Sequence, residues 1–481
     1  MMKLSYYLNK FKIDAKIKDD HEISLITDHS KQVIKNSVYF YIIDKDKTFI
    51  DEAIRNGAKT IILSDDIDFD YNNINIVKVS NPKYIMSLFL KESYLLKYNQ
   101  LPIFIGVTGT TGKTTTSSLI YQSLKRLKYD VLLFSSNGNI SYYACYEKKY
   151  KTINTTPSLS TIYELMMKNE LSYDYVVIEV SSQGFCEGRI LNIEFDYMIF
   201  TNFSCEHLEY HKTYEKYRCA KLDILKQVKE FIIMPFDLNE SKYFLNNLDK
   251  RIITYGTSNS DYTIDILSDE INESLFIISN KNKNTLFKSK ITGRFNIYNL
   301  TSVYILLNEI LVENNKINDV ICSLKDVDGR MNVFNMNNNF IIVDYAHSLV
   351  AIEYLLEYLK NKKHNRIISI IGSGGNRYKE RRKKIGHLVT KICDFTIFTE
   401  DNSRDENVED IIKDMLDEVK TNNFIIKYNR KEAIDFGISL LEKDDILVII
   451  GKGNEDYIER KDKIMFNDLK YVKSYLDNIY E

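Results

Sequence analysis

The sequence predicts an α/β chain of three domains built on parallel sheets, and three observations carry that reading. Its 481 residues exceed what one core organises, since a domain usually takes roughly 100–200 residues. A strand, loop, helix, strand pattern begins at Leu101, and the same rhythm restarts after Gly329-Arg330.

The first hundred residues carry short β-like runs, Val38 to Ile43, Thr60 to Leu63 and Ile74 to Val79, with a helix-like segment from Phe49 to Asn56. Polar turns separate them, which reads as a small α/β domain over 1–98. From Leu101 the order is LPIFIGV, a glycine-rich loop, then Leu119, Ile120, Leu124 and Leu127 at helical spacing, then VLLF from Val131. That is a βαβ unit, which builds a parallel sheet. Further strands are expected over Tyr175 to Val180 and Tyr197 to Thr201, and a helix over Tyr214 to Val228, within a central domain at 99–327. In the last domain, 328–481, FIIVDYAH from Phe340, RIISIIGSGG from Arg366, DFTIFTEDNSR from Asp394 and DILVIIGKGNE from Asp445 each run a buried strand into a polar or glycine-rich loop. Ligands of open α/β sheets bind at the carboxyl ends of strands, so those loops are candidate sites.

Composition narrows the function. Lys+Arg 65 against Asp+Glu 67 leaves a formal charge of −2, so no global basic field recruits nucleic acid or an anionic membrane. Cys145, Cys186, Cys205, Cys219, Cys322 and Cys393 form no C-x-x-C pair, which argues for reduced thiols and against a zinc ribbon. Apolar runs such as Ile446 to Ile450 fall far short of the ~20 residues of a membrane span, so a cytoplasmic enzyme of small molecules is expected. A monomer is the expected state. Only four prolines occur, well under the ~5% of average usage, so a motif proline lost here says little.

The stretch TGTTGKTTT, Thr108 to Thr116, predicts ATP binding. Glycines let backbone N–H groups turn toward phosphate oxygens, a lysine meets the β/γ charge and a hydroxyl takes Mg²⁺; Gly109, Gly112, Lys113 and Thr114 supply these. Val107 stands where the strict loop pattern has glycine, so the loop is a shortened variant; an ordinary strand-to-helix turn is the bland alternative. Glu179 ends the apolar run YVVIEV, where a carboxylate reaches a phosphate-bound Mg²⁺. His207 and His211 in CEHLEYH stand at helical i,i+4 spacing, and at least one of them reads as structural. By pattern alone Lys221, in YRCAKLDILKQV, is a solvated lysine.

Taken in order, TGTTGKTTT, NTTP (Asn154 to Pro157), EVSS (Glu179 to Ser182), EHLEYH (Glu206 to His211), GRFNIYN (Gly293 to Asn299), DGRM (Asp328 to Met331), DYAH (Asp344 to His347), GSGGNR (Gly372 to Arg377), DNSR (Asp401 to Arg404) and GKGNE (Gly451 to Glu455) resemble the Mur ligase family, closest to its tripeptide synthetases. The resemblance covers nearly the whole chain. It implies an N-terminal UDP-binding domain, a central ATPase, and a C-terminal Rossmann-like domain that brings the amino acid and closes on the other two. It implies an amide-bond ligase of peptidoglycan precursor synthesis, which phosphorylates the D-glutamate carboxylate of UDP-MurNAc-L-Ala-D-Glu. The amine of a diamino acid, meso-2,6-diaminopimelate first, then attacks the acyl phosphate.

Residue by residue, the resemblance makes Lys113, Glu179, His207 and Lys221 catalytic, with Lys221 as the N6-carboxylated lysine. Carboxylation turns a cation into an anionic oxygen donor, so Thr114, Glu179, His207 and Lys221 are the implied Mg²⁺ ligands. Gly109, Thr110, Thr111, Gly112, Lys113, Thr114, Thr115, Asn299, Arg330 and Asp344 match ATP-binding positions. Ser30, Asn154, Thr155, Thr156, Ser181, Glu187 and Arg189 match positions for UDP-MurNAc. Arg377, Asp401, Asn402, Ser403, Arg404, Gly451 and Glu455 match positions for the amino acid. Arg404 suits a distal carboxylate, and Asp401 with Glu455 suits an ammonium.

The chain departs from the family pattern at Ser403 and Leu349, each in place of proline, at Glu187 in place of glutamine and at Asn454 in place of histidine. A carboxylate at 187 repels a diphosphate unless neutralised. The alternatives are lysine, ornithine or a sulfur-bridged analogue as the amine, a folylpolyglutamate synthase-like ligase, a non-ligating P-loop protein, and a paralogue that binds the nucleotide sugar without turnover.

Overall fold

The computed structural model describes residues 2–42, 46–67, 69, 71–152, 154–204, 206–238, 240–281, 283–311 and 315–480, with backbone alone at 479 and 480. Ile43, where the first predicted run ends, and Cys205 lie outside them. The chain forms two compact units, Met1–Thr108 with Lys128–Met198 and Arg218–Phe231, and Gly109–Leu127 with Ile199–Tyr217 and Ile232–Glu481.

The first unit begins with a parallel sheet in the order Ile26–Thr27, Ser37–Phe40, Ala58–Ser64, Asn75–Val79. The predicted helix appears as Thr48–Arg55. Helix Pro82–Tyr98 follows: Pro82 opens it, where the missing N–H costs nothing, and the Asn81 side chain caps the Tyr84 amide at 3.0 Å. Further along, Tyr175–Glu179 lies between Ile103–Thr108 and Val131–Ser135, parallel to both, with Val107 opposite Glu179. Both faces of Tyr175–Glu179 are covered, so its apolar run is continuous and its one carboxylate stands at the end. An antiparallel pair, Gly138–Tyr143 and Tyr146–Tyr150, extends this sheet and was not foreseen.

The second unit holds the helix of the phosphate loop, Lys113–Arg126, packed on the buried helix Arg294–Ile310, and an antiparallel meander over Tyr262–Asp269, Ser274–Asn280 and Lys283–Ser289. Its other sheet runs Asn332–Met336, Asn339–Asp344, Ile446–Ile450, Ile367–Ile371, Phe395–Phe398, Phe424–Ile426, parallel except for the first strand. Helices cover both faces. Leu349–Lys360, Glu380–Ile392 and Val408–Leu416 pack on one, Arg430–Ser439 and Asp468–Tyr480 on the other. Ile446–Ile450 inserts between two strands that precede it in sequence, which makes a topological switch point. The helix expected to end at Val228 ends at Lys226, and Val228 opens a strand to Pro235.

Candidate functional site

In the first unit, Glu179 and Lys221 are both fully buried although both are ionisable. The Glu179 carboxylate accepts from the Ser136 amide and hydroxyl, each at 3.2 Å. The Lys221 ammonium donates to the Thr108 hydroxyl at 2.9 Å, and that hydroxyl donates to the Val180 carbonyl at 2.8 Å. Burying a lysine is costly, and Lys221 reaches the end of the phosphate-loop strand, which makes it a candidate functional group. The solvated reading of Lys221 is corrected by this burial.

The residues matched to UDP-MurNAc form a connected set in the same unit. Thr156 donates to the Glu179 carbonyl at 2.7 Å and receives the Ser181 amide at 3.0 Å, while the Ser181 side chain caps the Gly184 amide. Thr155 accepts from Ser136 at 3.0 Å, and Asn154 is exposed, its carbonyl held by Thr152. Glu187 is neutralised: Arg189 pairs with it at 2.5 Å while also donating to the Thr156 carbonyl at 3.0 Å. Its second oxygen accepts from Gln183 at 2.8 Å and its carbonyl from Lys83 at 2.5 Å. The repulsion expected from a carboxylate at this position is met by Arg189 two residues on. Ser30 opens a short turn and donates to Glu52; its neighbour His29 meets the Ser158 hydroxyl at 3.2 Å.

In the second unit the loop Gly109 to Gly112 needs both glycines. Each has φ in the left-handed half; a Cβ on Gly109 would lie 2.0 Å from the Thr201 hydroxyl, and one on Gly112 2.9 Å from the Asn299 side-chain amide oxygen. Lys113 donates to the Gly109 and Thr110 carbonyls at 3.0 and 2.7 Å. Thr111 takes its amide to Asn202 at 2.9 Å, and Thr110 shares a hydrogen bond with Tyr217 at 3.0 Å. Thr114 and Thr115 are buried in the first turn, and Thr114 accepts from Arg330 at 3.1 Å. His207 precedes the short helix Leu208–His211 with φ 57° and stands half exposed, flanked by Glu206 and Glu209 at 4.0 and 3.9 Å. His211 is buried beside Tyr217. Among the described residues no group of three or more His, Cys, Asp or Glu side chains is placed to hold a metal ion.

The remaining predicted residues line the carboxyl edge of the six-stranded sheet. Asp344 accepts from the Met331 and Ala346 amides, both at 2.6 Å, and the Arg330 guanidinium stacks 4.2 Å from the Tyr345 ring. Asp344 is half-buried. Lost hydration raises its pKa, opposed by Arg330 and the two amides. Burial also pushes Asp401 up, but Lys452, Arg430 and the Asn402 amide outweigh it and hold the carboxyl below its usual range. A Cβ on Gly451 would lie 2.8 Å from an Asp401 oxygen.

Asn402 donates to Glu455 at 2.8 Å and accepts from Lys452 at 2.9 Å; Lys452 reaches Glu455 at 2.9 Å, and Tyr345 donates to it at 3.2 Å. Sequence reasoning missed Lys452, which is fully buried beneath these groups. Ser403 is buried, and its carbonyl lies 1.9 Å from where a Cβ on Gly375 would sit, so that glycine is obligatory. Arg404, at φ 53°, donates to Glu459 at 3.0 Å and to the Gly375 carbonyl at 2.7 Å, while Arg377 is exposed.

Models of the Mur ligase middle domain and of the Mur ligase glutamate ligase domain match residues 107–307 and 329–453. The chain is 33% identical over 472 residues to the UDP-N-acetylmuramoyl-L-alanyl-D-glutamate--2,6-diaminopimelate ligase 1 of Clostridium acetobutylicum, covering 95% of this chain and 96% of the relative. The chain belongs to the Mur ligase family. It is also 31% identical, over 95% of its length and 93% of the relative, to the UDP-N-acetylmuramyl-tripeptide synthetase of Borreliella burgdorferi. Among solved structures, a UDP-N-acetylmuramoyl-L-alanyl-D-glutamate--2,6-diaminopimelate ligase superposes over 99% of both chains with a TM-score of 0.68 at 23% identity, which establishes the α/β Mur ligase fold. Its family members are ATP-dependent ligases, so this chain is an enzyme of that class. No helix of the described residues is long and apolar enough to cross a membrane.

Proposed function

We propose that this chain joins a diamino acid, 2,6-diaminopimelate, to UDP-MurNAc-L-Ala-D-Glu at the expense of ATP, in the cytoplasm and as a monomer. The observation that carries the reading is the buried Lys221 at the end of the phosphate-loop strand, in a chain that matches a diaminopimelate ligase along nearly its whole length. The division into 1–98 for the UDP end, 99–327 for ATP and 328–481 for the amino acid is part of this proposal.

The γ-phosphoryl of ATP passes to an oxygen of the D-glutamate carboxylate, leaving ADP. The free amine then attacks the acyl carbon, the C–O bond to phosphate breaks, and the amine proton leaves with the solvent or the departing phosphate. Such transfers need positioning and charge neutralisation more than covalent help. Lys113 supplies one positive charge to the β/γ oxygens, and Gly109 to Gly112 turn backbone N–H groups toward them. Thr155, Thr156, Ser181 and Arg189 hold the nucleotide sugar, with Ser30 near the uridine and Asn154 beside them. Asn299, Arg330 and Asp344 contact ATP. Asp401 and Glu455 take the ammonium, with Asn402, Ser403 and Gly451 shaping that pocket, and Arg377 and Arg404 face the carboxylates.

Mg²⁺ fits this donor set on one condition. The condition is that Lys221 be carboxylated: as an ammonium it offers a cation no donor, whereas as a carbamate it would be an anionic oxygen ligand of the kind the resemblance implies beside Glu179 and His207. Carboxylated Lys221 supplies that oxygen, with Thr114 serving the metal at the phosphate loop. Held by these residues, Mg²⁺ would neutralise charge on the phosphoryl oxygens.

Lys221→Ala and Lys221→Arg tests the proposal: both variants lose ATP-dependent ligation, and in the wild-type chain ¹³C-labelled bicarbonate yields a carbamate carbon resonance absent from either variant. Full activity in Lys221→Arg would sink the carbamate role.

A further inference from the structure

Arg404 is the cation through which the amino-acid site can meet a second carboxylate, and the structure supplies it with an internal competitor. Its Nε donates to Glu459 Oε2 at 3.0 Å, its Nη1 to the Gly375 carbonyl at 2.7 Å, and its backbone amide to the Glu459 carbonyl at 2.8 Å. The arrangement is built on both sides. Arg404 sits in the left-handed region at φ 53°, and Gly374 has no Cβ where one would lie 3.1 Å from the guanidinium. Glu459 ends the strand Tyr457–Glu459, paired with Lys463–Met465, and its amide donates to Asn402 Oδ1 at 2.8 Å. Asn402 in turn contacts Glu455 and Lys452, so one side chain ties the ammonium-binding groups to the Arg404–Glu459 pair.

We infer that Glu459 is a specificity-determining residue, which competes with the distal carboxylate of the incoming diamino acid for Arg404. Two N–H groups of the guanidinium are engaged, and its charge is balanced locally. A substrate with a distal carboxylate must therefore displace or share a partner already in place, whereas one ending in an ammonium alone meets the Glu459 carboxylate as an acceptor. Side-chain exposures of 25% for Arg404 and 33% for Glu459 leave the pair open to solvent, so the competition is modest. The effect is a grading of substrates and not an exclusion.

The inference rests on the ligase reading, and its test is a ratio that stands apart from it. Specificity constants for 2,6-diaminopimelate and L-lysine are measured on the full chain and on Glu459→Gln, with Glu459→Ala as the second variant and a melting curve for each. The expected result is a rise in the diaminopimelate-to-lysine ratio by roughly two- to fivefold in both variants, the range of an exposed ion pair. A ratio unchanged in both folded variants would overturn the inference while wild-type turnover continued to carry the ligase reading.

Discussion

Replacing Asp468 by alanine should unfold the C-terminal part of the chain at markedly lower temperature and weaken its hold on the amino acid. Arg430 and Asp468 are both fully buried and meet in a bidentate pair at 2.8 and 2.7 Å. The guanidinium also donates at 3.0 Å to the carbonyls of Glu400 and Ile450, the residues just before Asp401 and Gly451. The pair therefore anchors the two loops expected to bind the amine from beneath. Removing one partner of such a pair leaves an uncompensated buried charge and costs about 3–5 kcal/mol. For a folding unit of this size that is a fall in melting temperature of roughly 6–20 °C, taking about 2–4 °C per kcal/mol. Calorimetry on the variant gives the number. In the double variant Arg430→Met with Asp468→Leu the charges vanish together, leaving only the two orphaned carbonyls at about 1–3 kcal/mol each. A loss below about 1 kcal/mol in Asp468→Ala would refute the reasoning, since a buried guanidinium cannot lose its counter-ion that cheaply.

Two further outcomes follow from the geometry. Arg189→Gln leaves Glu187 without its cation, so KM for the UDP-MurNAc substrate should rise about tenfold, as loss of a charge-assisted contact worth ~1.5 kcal/mol implies, and Glu187→Gln in the same chain should recover part of it; equal KM values in single and double variants would contradict this. Glu406 is held at about 2, chiefly by its hydrogen bonds to Arg382 and further by the Asn376 amide. Because its folded pKa is depressed, the stability it contributes is complete above the ordinary glutamate range and lost as pH falls from there toward 2; chemical denaturation of Glu406→Gln should show a shallower decline over that window than the parent chain.

Much of the candidate site was legible because many of its residues lie at or near strand ends, where an apolar run meets glycines or acids. Thr108, Glu179, Asp344, Ile371, Phe398 and Ile450 all close strands at or near the positions the pattern marks. Lys221 was not legible from physics, because burial of one lysine on a polar helix is decided by what packs over it; the family resemblance alone pointed to it. Lys452, in the loop after Ile446–Ile450, hid likewise because its burial depends on the groups that pack over that loop. Glu459 sits in the charge run ERKDK, which reads as a solvated turn until the strand pair Tyr457–Glu459 and Lys463–Met465 turns it toward Arg404. The meander over Tyr262–Ser289 was missed although YTIDILSD and SLFIISN are rich in β-formers and Lys283–Ser289 alternates exposed and buried. The pairing of Glu187 with Arg189 joins residues two apart across a turn, a contact that helical or strand spacing does not flag.

The central claim is ligation, and the direct measurement is ATP-dependent phosphate release by the full chain with UDP-MurNAc-L-Ala-D-Glu and 2,6-diaminopimelate, read together with the mass of the nucleotide product. The account predicts one phosphate for each UDP-MurNAc-tripeptide formed and no release when either the dipeptide substrate or the amino acid is left out. Phosphate release that needs neither, or no product with any diamino acid, would contradict it.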